Sequence, residues 1–221
     1  MTLPAPWRVR HLPLLLLLLA APLLALANSD PLPSWKDGPS KQGILAFVQA
    51  VTTQGGPDYV KPAERIAVFD NDGTLWSEQP AYFEVLFAFD EIKRLAPQHP
   101  EWKARQPFQA VLEGDHQALA ASGMHGLLQI IGATHTGISS EAFIDNARRW
   151  LAEARHPKTG RPFNQMIYQP MLEMLDYLRS QDFKTYIVSG GDTAFMRAFA
   201  ESAYGIPPEQ VIGSNFVTQW P

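Results

Sequence analysis

Two aspartates lie two positions apart, directly after a short apolar run of the sequence. Asp70 and Asp72 follow the run at residues 66–69 and precede Gly73. On an extended chain, residues i and i+2 point to the same side, so the two carboxylates can converge on one spot. Two such negative groups repel and need a cation or a shared proton, and Mg²⁺ is the hard cation that best suits oxygen ligands. The pattern predicts a metal-assisted site with one carboxylate as nucleophile and the other as proton donor and acceptor.

The alternative interpretation of this segment is a surface turn, because Asp-Gly and Asn-Asp are ordinary turn sequences. A second polar segment favours the functional interpretation. Ser189, Gly190 and Gly191 follow another apolar run at residues 185–188, and they offer a hydroxyl and free backbone N–H groups. Such a loop is typical of a phosphate-binding cradle. The alternative here is that Asp192 or Ser189 only caps the helix that follows.

The elements that must position these loops are three short apolar runs, at residues 66–69, 185–188 and 211–213. Their continuous apolar character predicts buried parallel strands. A mostly helical pattern fills residues 80–154, and a further helix begins near Pro170. The order of strands and helices predicts an α/β fold with a doubly wound (Rossmann-like) parallel sheet and a helical cap inserted after the first strand. Ligands bind such sheets at the carboxyl ends of the strands, where both polar loops lie.

Composition excludes several classes of function. The chain has 221 residues, a formal charge of −4 and no cysteine. The absence of cysteine excludes disulfides, thiol catalysis and cysteine-ligated metal centres. An acidic chain without a basic run is a poor binder of nucleic acid, so we expect no nucleic-acid partner.

The first 27 residues have the order of a secretory signal peptide. Arg8 and Arg10 precede an apolar stretch at residues 12–26, and Ala25-Leu26-Ala27 is a small-x-small cleavage pattern. The alternative is an uncleaved membrane anchor, but the stretch has 15 residues, fewer than the roughly 20 that span a bilayer. We therefore expect an exported protein, periplasmic or secreted, with no stable membrane anchor after cleavage. Loss of the two arginines takes the formal charge from −4 to −6.

The two polar loops resemble the motifs of a known enzyme family. Val188-Ser189-Gly190-Gly191 resembles motif II of the haloacid dehalogenase-like superfamily. Its motif I is matched by Phe69-Asp70-Asn71-Asp72-Gly73-Thr74-Leu75-Trp76. The sequence is most similar to the phosphoserine phosphatase-like branch, and the resemblance covers about residues 40–221.

The resemblance implies a role for each matched residue. Asp70 would attack phosphorus and form an aspartyl-phosphate, and Asp72 would protonate the leaving alcohol and then activate water. The Asp70 carboxylate and the Asp72 backbone carbonyl would hold Mg²⁺. Ser189 and the Gly190 N–H would bind the phosphoryl oxygens. The second aspartate implies a phosphatase or phosphotransferase, since dehalogenases of the family lack a carboxylate there.

The resemblance also implies the domain organisation and the substrate class. Residues 1–27 would be the signal peptide, residues 28–76 and 166–221 the α/β core, and residues 77–165 the helical cap over the site. The implied function is an exported Mg²⁺-dependent phosphomonoester phosphatase, and the implied partner is a small-molecule phosphate ester.

Two elements of the family pattern have no counterpart here. The family has a lysine downstream of motif II and acidic residues after a later strand, whereas this sequence has no lysine after Ser189. The resemblance therefore implies a C-terminally truncated member, in which the strand at residues 66–69 lacks a neighbour on one side. The alternatives are a non-catalytic phosphate-binding remnant and a phosphotransferase. His116, His125 and His135 lack metal-ligand spacing, and we interpret them as solvated or capping residues.

Overall fold

Three short apolar segments pair into a parallel sheet in a computed structural model that describes residues 30–219. The strands are β1 (Ile66–Phe69), β2 (Lys184–Asp192) and β3 (Val211–Ser214), in the order β1-β2-β3. Phe69 pairs with Ile187, and Ile187 pairs with Val211. All three strands were predicted from the sequence, and β2 extends beyond its predicted end to include the Ser-Gly-Gly segment.

Eight α-helices accompany the sheet among residues 30–219. Their bounds are α1 (Pro39–Thr52), α2 (Phe83–Leu95), α3 (Phe108–Glu113), α4 (His116–His135, with a non-helical Gly123), α5 (Ser140–Glu153), α6 (Gln169–Ser180), α7 (Thr193–Arg197) and α8 (Ala200–Tyr204). Ser139 accepts a hydrogen bond from the Ala142 N–H and so caps α5. Pro170 lies in the first turn of α6, as predicted.

The two faces of the sheet differ in burial. Residues paired across parallel strands share a face, and the face of Phe69, Ile187 and Val211 is packed against helices in the hydrophobic core. The opposite face carries exposed apolar side chains, with exposed fractions of 56% for Ile66, 58% for Val68, 43% for Val188 and 51% for Ile212. The α/β fold with a parallel sheet is confirmed, and within residues 30–219 the helices cover one of its faces.

The segment between β1 and α6 is helical and has a hydrophobic cluster of its own. That cluster is formed by Ala88, Ile92, Trp102, Phe108, Val111 and Ile130. Other side chains of the same segment, including Phe83 and Phe87, join the cluster that also contains Ile187 of the sheet. The division into a core (28–76 and 166–221) and a cap (77–165) stays a prediction.

The proposed signal peptide at residues 1–27 lies outside the described residues. Within residues 30–219, no helix has the length and apolar character needed to cross a membrane.

Candidate active site

The loop after β1 is held in a tight conformation by its own backbone. The carbonyl oxygen of buried Asn71 accepts hydrogen bonds from the N–H groups of Thr74 (3.2 Å) and Leu75 (2.9 Å). The Gly73 N–H donates to the Trp76 carbonyl oxygen at 2.9 Å. Asp70 Oδ1 accepts a hydrogen bond from the Asn71 N–H at 2.8 Å, so the nucleophile candidate is oriented from within the loop.

Two observations favour glycine at position 73 of this loop. Its φ is +72°, a left-handed conformation that residues with a Cβ rarely adopt. A Cβ at this position would also lie 2.9 Å from Glu78 Oε2. The Glu78 carboxylate therefore lies against the loop and adds a further negative charge beside Asp70 and Asp72.

Asp72 is bound to the hydrophobic core through Trp76. The Trp76 Nε1–H donates a hydrogen bond of 2.8 Å to Asp72 Oδ1, and the indole is fully buried. Trp76 stacks on Phe199 with ring centroids 4.3 Å apart and meets Phe83 edge-on at 4.8 Å. These contacts place the Trp76 ring in the core beneath the first loop.

The environment of Asp72 raises the pKa of its carboxyl to about 6. Burial is the largest cause, the hydrogen bond from Trp76 opposes it, and the charges of Glu84, Asp70 and Glu78 raise the pKa further. A carboxyl with such a pKa can hold a proton near neutral pH and release it to a leaving group. The role of Asp72 as general acid and base stays a prediction.

The second polar loop is the end of β2. Ser189 Oγ accepts a hydrogen bond from the Gly191 N–H at 3.3 Å, and the Gly190 carbonyl oxygen accepts one from Ser214 Oγ at 2.9 Å. Asp192 Oδ1 accepts from the Phe195 N–H at 2.9 Å, so Asp192 caps α7 as one interpretation of the sequence expected. Burial raises the pKa of the Asp192 carboxyl. Ser189 does not cap the helix, and its hydroxyl stays next to the glycine amides.

The register of the sheet brings the two loops to the same edge. Phe69 and Ile187 pair in parallel, so Asp70, directly after β1, and Ser189, within β2, lie one and two residues beyond that pair. Glu84 contacts the second loop and acts electrostatically on the first: its Oε2 accepts a hydrogen bond of 2.9 Å from the Asp192 N–H, and its charge raises the pKa of Asp72. The catalytic, phosphate-binding and metal-binding roles of Asp70, Asp72, Ser189 and Gly190 stay predictions.

Two further residues near the site were not identified from the sequence. Buried Tyr204 donates its hydroxyl to Asn71 Oδ1 at 3.2 Å and so supports the first loop. The prediction of a solvated or capping His135 is wrong: its side chain is 1% exposed, and its Nε2 lies 3.5 Å from Glu84 Oε1. His116 and His125 are exposed, as expected.

A cavity of about 950 Å³ opens beside the second loop. His135, Phe143, Asp192 and Phe216 are among the residues that line it, whereas Asp70 and Asp72 are not. The cavity is thus adjacent to the carboxyl edge of the sheet without containing the nucleophile candidate.

Comparisons with known proteins identify the family of the chain. The family model of the haloacid dehalogenase-like hydrolases matches residues 67–220. No curated protein matches the chain. Among solved structures, a phosphoserine phosphohydrolase-like protein from Francisella tularensis subsp. tularensis SCHU S4 is similar at 16% identity and a TM-score of 0.36. The similarity covers 70% of this chain and 60% of that protein. Because the family model spans well over half of the sequence, the chain belongs to the haloacid dehalogenase-like hydrolases.

Proposed function

We propose that this hydrolase is an exported, Mg²⁺-dependent phosphomonoester phosphatase that acts through an aspartyl-phosphate on Asp70. The observation that carries the proposal is the pair of carboxyls on one tight loop, of which Asp72 has a pKa raised to about 6. A nucleophilic carboxylate with a protonatable neighbour is what two-step phosphoryl transfer requires. The family membership supports the hydrolytic reaction class.

The proposed hydrolysis takes place in two steps. In the first, an Asp70 carboxylate oxygen forms a bond to phosphorus, the bond from phosphorus to the ester oxygen breaks, and the Asp72 proton passes to the leaving alcohol. In the second, Asp72 takes a proton from water, the water oxygen attacks phosphorus, and the bond to Asp70 breaks. The Ser189 hydroxyl and the Gly190 N–H donate hydrogen bonds to the phosphoryl oxygens throughout.

The oxygen donors near Asp70 are of the type that a hard cation binds. The Asp70 carboxylate and the Asp72 backbone carbonyl offer oxygen ligands, which Mg²⁺ favours. Among residues 30–219 no group of three His, Cys, Asp or Glu side chains is arranged to hold a metal. When bound, Mg²⁺ would neutralise charge between the nucleophile and the phosphate.

The alternative function is a non-catalytic phosphate-binding protein. It predicts binding of inorganic phosphate without turnover.

The test is hydrolysis of p-nitrophenyl phosphate by the chain without residues 1–27, with and without Mg²⁺. We expect Mg²⁺-dependent turnover that Asp70→Asn abolishes, while Asp72→Asn lets the phosphorylated protein accumulate for detection by mass spectrometry. Asp145→Asn is the matched control, because Asp145 is an exposed aspartate of α5 whose side chain is 72% accessible. Unchanged turnover in Asp70→Asn would exclude Asp70 as the nucleophile, and added alcohols that yield new phosphate esters would indicate a phosphotransferase.

Export is tested separately, by expressing the full sequence in a bacterium and fractionating the cells. We expect the processed chain, starting near residue 28, in the periplasm or the medium. Recovery of the unprocessed chain from the membrane fraction would support the anchor instead.

A further inference from the structure

Glu84 reaches from the first turn of α2 to the loop that follows Ser189. Its Oε2 accepts a hydrogen bond of 2.9 Å from the Asp192 N–H, and its side chain is 17% exposed. This backbone amide directly follows Gly190 and Gly191, which are part of the proposed phosphate cradle. A carboxylate oxygen therefore already accepts a hydrogen bond from one of the backbone N–H groups at this edge of the sheet.

The space that Glu84 occupies borders the phosphate-binding hydroxyl. A Cβ atom added at Gly191 would lie 3.2 Å from Glu84 Oε2 and 3.7 Å from Ser189 Oγ. The carboxylate and the hydroxyl thus line the same small region. Phosphoryl oxygens and carboxylate oxygens both seek backbone N–H donors, and they form strong charge-assisted hydrogen bonds with them.

The charges around Glu84 oppose a second anion. Glu84 is the charged neighbour with the largest effect on the raised pKa of Asp72, and it also raises the pKa of Asp192. His135 Nε2 lies 3.5 Å from Glu84 Oε1. A phosphate that approached Ser189 would meet the Glu84 carboxylate at short range, and the repulsion would weaken its binding.

We infer that Glu84 sets the affinity of the site for phosphate, because its carboxylate competes with phosphoryl oxygens at the Asp192 N–H. His135 provides the position to which the displaced carboxylate moves. His135 Nε2 is buried, lies 3.5 Å from Glu84 Oε1 and has no hydrogen-bond partner among the described residues. This inference rests on the proposed function, in which Ser189 and Gly190 bind the phosphoryl group.

The test is calorimetric titration of inorganic phosphate, in the presence of Mg²⁺, into the wild type, Glu84→Gln and Glu84→Ala. We expect both variants to bind phosphate about tenfold or more tightly, because each removes a competing charge-assisted hydrogen bond. Glu91→Gln is the matched control: Glu91 is a buried carboxylate of the same helix, held by Arg94 at 2.6 Å, and its loss leaves phosphate affinity unchanged.

The sign of the change separates competition from a structural role. If Glu84 only ties α2 to the loop, its loss loosens the loop and weakens phosphate binding. Equal or weaker affinity in both Glu84 variants, with unfolding transitions like that of the wild type, overturns the inference. A Ser189→Ala variant reports on the proposed function separately: if it binds phosphate as tightly as the wild type, the cradle assignment fails whatever Glu84 does.

The role of His135 has its own test. His135→Phe preserves the aromatic contacts with Phe87 and Phe143 but removes the partner for the displaced carboxylate. We expect weaker phosphate binding in His135→Phe and no further effect when it is combined with Glu84→Gln. An equal loss of affinity in both backgrounds would contradict a role that acts through Glu84.

Discussion

The indole Nε1–H of Trp76 donates a 2.8 Å hydrogen bond to Asp72 Oδ1, so the proposed acid and base is anchored to a fully buried ring. This bond lowers the pKa of Asp72, whereas burial, the larger effect, raises it to about 6. A Trp76→Phe variant keeps an aromatic ring against Phe199 and Phe83 but loses the donor. We expect the pKa of Asp72 to rise further, by roughly half a unit to one unit.

The measurement is the pH dependence of kcat/KM for p-nitrophenyl phosphate. The limb of this pH profile that reports the ionisation of Asp72 should move to higher pH in Trp76→Phe. Trp150→Phe is the control, because Trp150 is also a buried tryptophan that donates its Nε1–H to an aspartate, Asp90 Oδ2 at 2.9 Å. A limb that moves equally in both variants would be a general effect of tryptophan loss.

Stability should also depend on Asp72. A carboxyl whose pKa is higher in the folded protein than the ordinary 3.8 binds its proton more tightly when folded. Its contribution is therefore favourable below about pH 4 and is lost as the pH rises through about 6. Near neutral pH the partly buried Asp72 carboxylate is ionised and therefore destabilises the folded protein. Asp72→Asn removes this charge, and since Asp72 is only partly buried we expect the free energy of unfolding to rise by about 1 kcal/mol.

Urea unfolding at neutral pH and near pH 4 measures this effect. The difference between Asp72→Asn and the wild type should shrink as the pH falls, because both side chains are then neutral. The exposed Asp145→Asn should show no such trend. A larger stabilisation at acidic than at neutral pH would contradict the raised pKa.

The positions of Asp70 and Ser189 were predictable because they depend on local pattern. Each follows a continuous apolar run, and the carboxyl ends of parallel strands meet at one edge of a sheet. Glu84 was not predictable, since its contact with the Asp192 N–H joins residues 108 positions apart. The prediction that His135 is solvated or capping was wrong for the same reason. The spacing of the histidines shows that His135 lacks metal-ligand pairing, but it does not show which rings, distant in sequence, bury the side chain.

Gly73 provides a test of the loop that holds both carboxyls. Gly73→Ala combines a left-handed backbone with a Cβ placed 2.9 Å from Glu78 Oε2. Gly160→Ala isolates the backbone effect, because Gly160 has a φ of +68° and a Cβ added there would meet no atom within 4 Å. We expect Gly160→Ala to cost about 1 kcal/mol of stability and leave turnover unchanged.

Gly73→Ala should cost more than Gly160→Ala and should also reduce turnover, because the loop or Glu78 must shift. Removing the clash in Gly73→Ala/Glu78→Ala should recover the part of the stability that exceeds the Gly160→Ala value. Equal losses in the two glycine variants would show that the Glu78 contact is unimportant. The readouts are urea unfolding and p-nitrophenyl phosphate turnover.

The exposed face of the sheet should limit the solubility of this chain. Val68 and Ile212 are more than half exposed on neighbouring parts of an apolar surface, and such surfaces promote association. Replacing both with threonine, which keeps a high strand propensity, should reduce light scattering on concentration. The free energy of unfolding should change by less than about 0.5 kcal/mol, because little buried surface is lost.

Ile187→Thr is the matched control on the buried face. The Ile187 side chain is fully buried, so its replacement by threonine should lower the free energy of unfolding by about 2 kcal/mol or more. Equal destabilisation by the exposed and buried substitutions would mean that the face of Val68 and Ile212 is covered in solution.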